Sequence, residues 1–302
     1  MSTEKTYIPP IKIQGIKTKI TPLIKANVRF QENSLWLEPF MGSGVVGFNV
    51  VPKNAIFSDI NPHLITFYNA IKSKEITSRK ARLFLEREGK LLEASGQDYF
   101  YAVRERFNIS HEPLDFLFLN RSCFNGMIRF NKNRQFNVPF GHKPQRFSKA
   151  YITKIVHQIE YVAQQIEQND WHFVLQPFEE SIKQAPANAF IYCDPPYIGR
   201  HVDYYDSWDE TQEIRLKTAL IESSCRFMIS TWEHNRYRTN DYIAKLWKFC
   251  YKITTEHFYF VGGKITNRNS MTEALLMNYQ PENLPNILDT TVSLPLFDSL
   301  SE

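Results

Sequence analysis

A short apolar run, Ala189-Phe190-Ile191-Tyr192-Cys193, stops at Asp194-Pro195-Pro196-Tyr197. The run has the length and composition of a buried strand. Two consecutive prolines donate nothing to a sheet ladder and fix their own φ, so the strand must end at Asp194 and the chain beyond it is stiff. A carboxylate then faces the crevice at the carboxyl end of a sheet, which is where open α/β folds bind ligands. Tyr197 adds a flat ring, and the Pro195 carbonyl is held in one direction. An acid acceptor, a rigid carbonyl and an aromatic face together suit a planar ring carrying an exocyclic amine. The same four residues would also serve as a plain strand-ending turn, so the rest of the chain has to decide.

A second strand-to-loop unit lies upstream. Leu35-Trp36-Leu37-Glu38 runs into Pro39-Phe40-Met41-Gly42-Ser43-Gly44-Val45-Val46-Gly47, whose glycines fit G-x-G-x-x-G after a strand and before a helix. Pro52 limits that helix to about two turns. The next strand, 55–59, ends on Asp59, and Asn61-Pro62 reads as N-cap and first residue of a helix through Lys72. Two nucleotide chemistries fit. In a dinucleotide oxidoreductase the loop would cradle a pyrophosphate. In an S-adenosylmethionine enzyme the glycines let backbone approach the methionine moiety, and Glu38 and Lys17 meet its amino and carboxylate groups. Asp59 takes the ribose in both. Only the methyl-donor reading gives a role to Asp194 and to the segment described next.

From residue 116 to 159 there is no Asp or Glu, while Arg121, Arg129, Lys132, Arg134, Lys143, Arg146, Lys149 and Lys154 all fall there. The whole chain nets only +4, so the positive charge is concentrated. A one-signed stretch is the footprint of a polyanion, and it is interleaved with Phe124, Phe130, Phe136, Phe140, Phe147 and Tyr151. Rings among cations suit base stacking and phosphate contact; a solvated basic face is the alternative.

Around these motifs the lead-in 8–18 is punctuated by prolines and Gly15, and a helix follows with Pro22 in its first turn. Helical spacing covers 77–94, 97–107 and 111–121, then a loop 122–148 and a helix 149–168. Strands are expected at 171–176, 189–194 and 226–231, with helices at 178–184, 208–222 and 235–249. Runs 252–260 and 271–279, joined by Gly262-Gly263, read as an antiparallel pair closing the sheet edge, and the residues from 281 read as a tail. The expected architecture is α/β: a Rossmann-like sheet with an antiparallel last strand and a mainly helical insertion. We place a discontinuous catalytic domain at 1–75 and 170–280, a recognition insertion at 76–169, and a tail at 281–302.

No apolar run reaches membrane-spanning length, and residues 1–6 are polar, so neither a membrane partner nor a secretory signal is expected. The four cysteines are scattered without a C-x-x-C pair, which predicts free thiols in a reducing, cytoplasmic setting and no metal site.

Six ordered stretches carry a resemblance: PPIKIQGIKTK (9–19), EPFMGSGVV (38–46), DINPHLI (59–65), FLFLNRSCFNGMIRFN (116–131), FNVPF (136–140) and CDPPYIGRHVDYY (193–205). Together they resemble the Dam-type (D12 class, alpha group) DNA adenine-N6 methyltransferases, nearest to the EcoRV-type modification branch, up to about Tyr279. The resemblance implies S-adenosyl-L-methionine as donor and double-stranded DNA as substrate, without a metal. It implies a catalytic Asp194, Pro195, Pro196 and Tyr197, and a donor site of Ile13, Lys17, Glu38, Phe40, Gly42, Gly44, Asp59 and Asp194. Ile13 stands where the family often has Trp. In the insertion, Arg129 would read a guanine edge, Phe124 and Asn125 would enter or brace the space left in the base stack, and Met127 and Pro139 would pack on a thymine methyl. Asn137 and Lys143 would also face DNA, and so would Arg121, as a phosphate contact if it is not a structural pair. The implied target is an adenine in GATC or GATATC, in a nucleoid-associated bacterial or phage-borne enzyme with or without a cognate restriction endonuclease. A cytosine-N4 enzyme more often has Ser at the position of Asp194, and a glutamine-N5 enzyme Asn; an inactive DNA-binding module is the remaining alternative. In the tail, Leu294, Leu296 and Phe297 resemble a sliding-clamp peptide, or an apolar tail docked on its own domain.

Overall fold

The strand before Asp194 lies at the centre of an eight-stranded sheet. In the computed structural model, residues 5–198, 208–235, 238–260, 268–281 and 290–293 are described. The strands are β1 (Leu35–Glu38), β2 (Asn54–Asp59), β3 (Asp170–Leu175), β4 (Phe190–Cys193), β5 (Arg226–Asn235), β6 (Tyr251–Phe260), β7 (Arg268–Met277) and β8 (Thr290–Ser293). Their order is β3-β2-β1-β4-β5-β7-β6-β8. The first five are parallel; β7 runs antiparallel between β5 and β6, and β8 pairs antiparallel with β6. Chain order reverses between β1 and β4, so the carboxyl ends of β1, β2 and β4 open a crevice at the switch point.

The central strands β1 and β4 are buried along nearly their whole length because both faces are covered. Trp36, Phe190 and Tyr192 point into one core, and Leu37, Ile191 and Cys193 into the other. The first core also holds α2 (Gly47–Val50) and α3 (Pro62–Lys72), with Phe48 stacked on Trp171 at 5.3 Å. The second is covered by α7 (Phe178–Lys183) and α8 (Glu210–Glu222). Helix α1 (Thr21–Asn27) carries Pro22 in its first turn, and Asn61 caps α3 by accepting from the His63 N–H at 3.0 Å, both as the sequence predicts.

The segment between β2 and β3 is helical: α4 (Ser78–Ser110), α5 (Pro113–Ser122) and α6 (Lys149–Gln168). Gly96, at φ 55°, breaks α4 where the periodicity predicts two segments. Helices α5 and α6 pack on α3, so the insertion shares the first core rather than standing apart. Its polar hub is Arg106, which donates to Glu88 at 2.8 Å and to Asp115 at 2.7 Å through Nε. Tyr99 and Arg87 donate to Glu88 as well, and both carboxylates are buried. Burial alone would raise the Glu88 carboxyl, but the bonds from Arg106, Tyr99 and Arg87 hold it below its ordinary value. A lowered folded-state value contributes stability above the unfolded carboxylate range, lost as pH falls through the folded value. Arg106→Ala is expected to cost roughly 2 kcal/mol in urea unfolding near neutral pH, because buried Asp115 loses its cation and buried Glu88 keeps only the more exposed Arg87.

Three expectations at the carboxyl-terminal side are corrected. The segment 232–235 continues β5, because β7 offers it a ladder out to Asn235 with an irregularity between Trp232 and His234. The helix there is only α9 (Asp241–Leu246), starting where Asn240 accepts from the Tyr242 N–H at 3.2 Å. The pair β6–β7 does not close the edge: β7 sits inside the sheet, and residues 290–293, expected as tail, form the edge strand on β6. Gly262-Gly263 and residues 294–302 lie outside the described residues.

Candidate active site

Three strand ends and residues 13–17 of the lead-in surround one cavity of about 770 Å³. After β1 the loop turns through Gly42 (φ 49°) and Gly44 (φ 76°), a backbone region costly for residues with a Cβ. The Gly42 N–H donates to Asp59 Oδ2 at 3.0 Å, while Asp59 Oδ1 accepts from the Asn61 N–H at 2.9 Å. Asp59 therefore ties the glycine loop to the end of β2, and its carboxyl is raised chiefly by burial. Glu38, at the end of β1, accepts from Trp36 Nε1 at 3.1 Å and from the Gly47 N–H at 3.0 Å. Its burial pushes the carboxyl up to about 8.

Lys17 is 3% exposed, and its ammonium lies 2.9 Å from Asp194 Oδ1 and 2.8 Å from the Gly15 carbonyl. The same ammonium sits 4.9 Å from the centroid of the Tyr197 ring. Asp194 is raised by burial, with Lys17 pulling in the opposite direction. The far wall is aromatic: Phe40 stacks on Phe178 at 5.2 Å and meets Trp208 edge-on at 5.4 Å. At the rim, Arg215 pairs with Glu179 at 2.5 Å.

Of the donor residues named from sequence, Ile13, Lys17, Glu38 and Phe40 line this cavity, and so do Gly42, Asp59 and Asp194. Gly44 shapes the loop from behind. Pro195, Pro196 and Tyr197 line it beside Asp194. Lys17, read from sequence only as a donor contact, also engages Asp194. Phe178 and Trp208 were missed; an aromatic opening the helix after β3 is the signal that points to the first.

In the insertion, Met127 and Ile128 reach the cavity, so the loop after α5 borders it. Phe124 is half-exposed, and Asn125 is exposed at φ 53° on the same 3-10 turn. The Phe124 N–H donates to the carbonyl of exposed Pro139 at 2.9 Å. Arg129 donates to the Asn137 side chain at 2.8 Å and to its carbonyl at 3.1 Å, and Lys143 is exposed. Arg121 is a correction. It is 3% exposed, bonded to Gln158 and to the Tyr151 hydroxyl, so its guanidinium holds α5 to α6 instead of facing DNA.

A five-stranded parallel sheet continued by an inserted antiparallel strand, with a glycine loop after β1 and a proline-locked acid after β4, defines a Rossmann-like methyltransferase. The chain belongs to the D12 class N6 adenine-specific DNA methyltransferase family, whose sequence profile matches residues 14–260. It is 38% identical over 167 residues to a DNA adenine methylase of Serratia marcescens, covering 53% of this chain and 57% of that protein. It is 34% identical over 197 residues to a DNA adenine methylase of Haemophilus influenzae, covering 63% of each. Against the type II methyltransferase M.FokI of Planomicrobium okeanokoites it is 29% identical over 255 residues, 81% of this chain and 39% of that one. The chain thus spans under two thirds of the length of each of these relatives.

Proposed function

We propose that this chain transfers a methyl group from S-adenosylmethionine to N6 of an adenine flipped out of a GAT-containing duplex, GATATC or GATC. The observation that carries the reading is the Asp194 carboxylate. It is fixed through Oδ1 by Lys17 at the sheet's switch point, with the Pro195 carbonyl and the Tyr197 ring beside it. The residues present fit the donor. The turn at Gly42 lets backbone come close, Glu38 and Asp59 are buried acids for an ammonium and a ribose, and Phe40 with Phe178 offers a wall for a purine. When bound, the donor supplies an electrophilic methyl on a sulfonium.

Adenine N6 is out of reach inside a duplex, so the base must leave the stack. Phe124 and Asn125, exposed at a tip beside the cavity-lining Met127, would fill or brace the gap. Tyr197 stacks on the extruded ring, and Asp194 and the Pro195 carbonyl accept the two N6 hydrogens. Those acceptors draw the nitrogen toward tetrahedral geometry and localise its lone pair for attack. The rate gain is one of positioning and electrostatics. As a modification enzyme it would share its site with a restriction endonuclease.

Arg129 is assigned to a guanine, with Asn137 orienting its fork. Arg129→Ala is expected to lose about 1–3 kcal/mol of discrimination at one guanine while binding to scrambled duplex stays unchanged; an equal loss on every sequence would make it a phosphate contact. Glu38 gives a second expectation. An acid raised to about 8 is mostly protonated at pH 7, and the donor's ammonium favours its ionised form. Donor binding at pH 7 should therefore release up to one proton, read by calorimetry in buffers of different ionisation enthalpy, and Glu38→Gln should abolish the release.

The reading is tested by incubating labelled donor with duplexes containing GATATC, GATC or a scrambled site. Transfer to GATATC alone matches the EcoRV-type branch, and transfer to both GAT duplexes matches a broader Dam-type specificity. Label on none of them contradicts the proposal.

A further inference from the structure

The Asp194 carboxylate is held by a second group on a strand to which the sequence gives no chemical role. Ser230 lies in β5, one residue beyond Ile229, which pairs with Cys193; it therefore stands beside Asp194 across the parallel ladder. Its hydroxyl donates to Asp194 Oδ1 at 2.9 Å, and the Tyr192 hydroxyl lies 2.9 Å from Ser230 Oγ. Since the Ser230 proton is spent on the carboxylate, Tyr192 is the donor in that second bond. Both residues are fully buried, so no water competes for these groups. A polar pair in an otherwise apolar core needs a partner to offset its burial, and here the partner is the carboxylate.

We propose that Ser230, backed by Tyr192, is a positioning residue for the methylation reaction. With Lys17 it occupies Oδ1, fixes the carboxylate plane, and leaves Oδ2 as the acceptor for the substrate amine. Two donors converge on Oδ1, the Lys17 ammonium at 2.9 Å and the Ser230 hydroxyl at 2.9 Å. A carboxylate carrying both on one oxygen cannot rotate without breaking charge-assisted bonds. The same bonds favour the ionised form against burial. The other titratable groups that act on this carboxylate are Glu38 from β1, Tyr192 and Cys193 from β4, and Glu273 from β7. Lys17 and Ser230 oppose the upward push of burial and of Glu273.

The inference rests on the methyltransferase reading, and the experiment separates the two. Ser230→Ala, Ser230→Thr and wild type are compared in steady-state kinetics across pH and in a carboxyl NMR titration of Asp-labelled protein, with Asp194→Asn used to assign the signal. The expected result for Ser230→Ala is a kcat about tenfold lower, the size of one hydrogen bond to a charged group. KM for donor and duplex should stay within twofold, the acid limb of kcat should move to higher pH, and the Asp194 midpoint should rise. Ser230→Thr, which keeps the hydroxyl, should recover most of the rate. An unmoved Asp194 midpoint, or a kcat and acid limb equal to wild type, would overturn the proposal while leaving adenine methylation standing. Equal losses in the Ala and Thr variants, with KM rising in both, would also overturn it, since that marks packing. If wild type methylates no adenine, the parent reading fails, and the NMR midpoint alone still decides whether Ser230 holds the carboxylate.

Discussion

Asp194→Ala is expected to lower single-turnover methylation by about 10³-fold while duplex binding stays within a few-fold. The reasoning starts from the amine. An exocyclic amine on a purine shares its lone pair with the ring and is a poor nucleophile until its hydrogens are drawn out of plane. Asp194 is the one acid placed at the carboxyl end of β4 beside Tyr197, and no other carboxylate sits on the rigid turn. Removing a preorganised acceptor of this kind costs roughly 10²–10³ in rate, and the variant also leaves the buried Lys17 ammonium without its anion. Asp194→Asn separates these effects. It keeps one oxygen that can accept from Lys17 or from the substrate but loses the charge, so its rate is expected to fall between wild type and the Ala variant. Single-turnover transfer from labelled donor, with gel-shift binding alongside, checks both. Asp194→Ala activity within tenfold of wild type would remove Asp194 from the chemistry.

Gly47→Ala is expected to weaken donor binding at least tenfold and to destabilise the fold by about 1–3 kcal/mol, the usual cost of overpacking a core. A Cβ at Gly47 would lie 2.2 Å from Phe57 Cε1 and 2.6 Å from Glu38 Oε2. Phe57 cannot retreat, because it packs against Phe48 at 5.3 Å and Trp171 at 5.2 Å with no exposed surface. Glu38 must then move, and with it the bond to the Gly47 N–H that shapes the donor loop. Gly96→Ala is the control: its Cβ meets nothing within 4 Å. That variant should show only the backbone cost of φ 55°, ψ −123°, roughly 1–3 kcal/mol, with donor affinity unchanged. Thermal melts and calorimetric donor titrations of the two variants give both readouts. Equal donor affinity for Gly47→Ala and wild type would detach the loop from the donor site.

The parts of the site that were legible in the sequence are those fixed by local chemistry. Prolines 195 and 196 stop a strand wherever it runs, glycines 42 and 44 permit one loop geometry, and Asn61-Pro62 starts a helix; each was placed correctly from its own neighbours. The break at Gly96 was legible for the same reason. Parts that depend on distant partners were not. Lys17 reads as a donor ligand in its own segment, and only the folded chain brings its ammonium to Asp194. Arg121 sits in a stretch without acids and therefore reads as a phosphate contact, yet the apolar run 116–119 turns its helix inward and Gln158 captures the guanidinium. Residues 232–235 have no helical or strand commitment of their own, and β7 decides their state by pairing with them. Residues 290–293 join the sheet through β6 for the same reason. Ser230 escaped notice because a hydroxyl in a short apolar strand carries no signal until the neighbouring strand puts an acid beside it.

The central claim is that the Asp194 site methylates adenine at N6. Its most direct test is mass spectrometry of nucleosides from a GATATC duplex treated with wild type or with Asp194→Ala. N6-methyladenine with the wild type and none with the variant is the result this account predicts. N4-methylcytosine, or a wild-type digest without any methylated nucleoside, would contradict it.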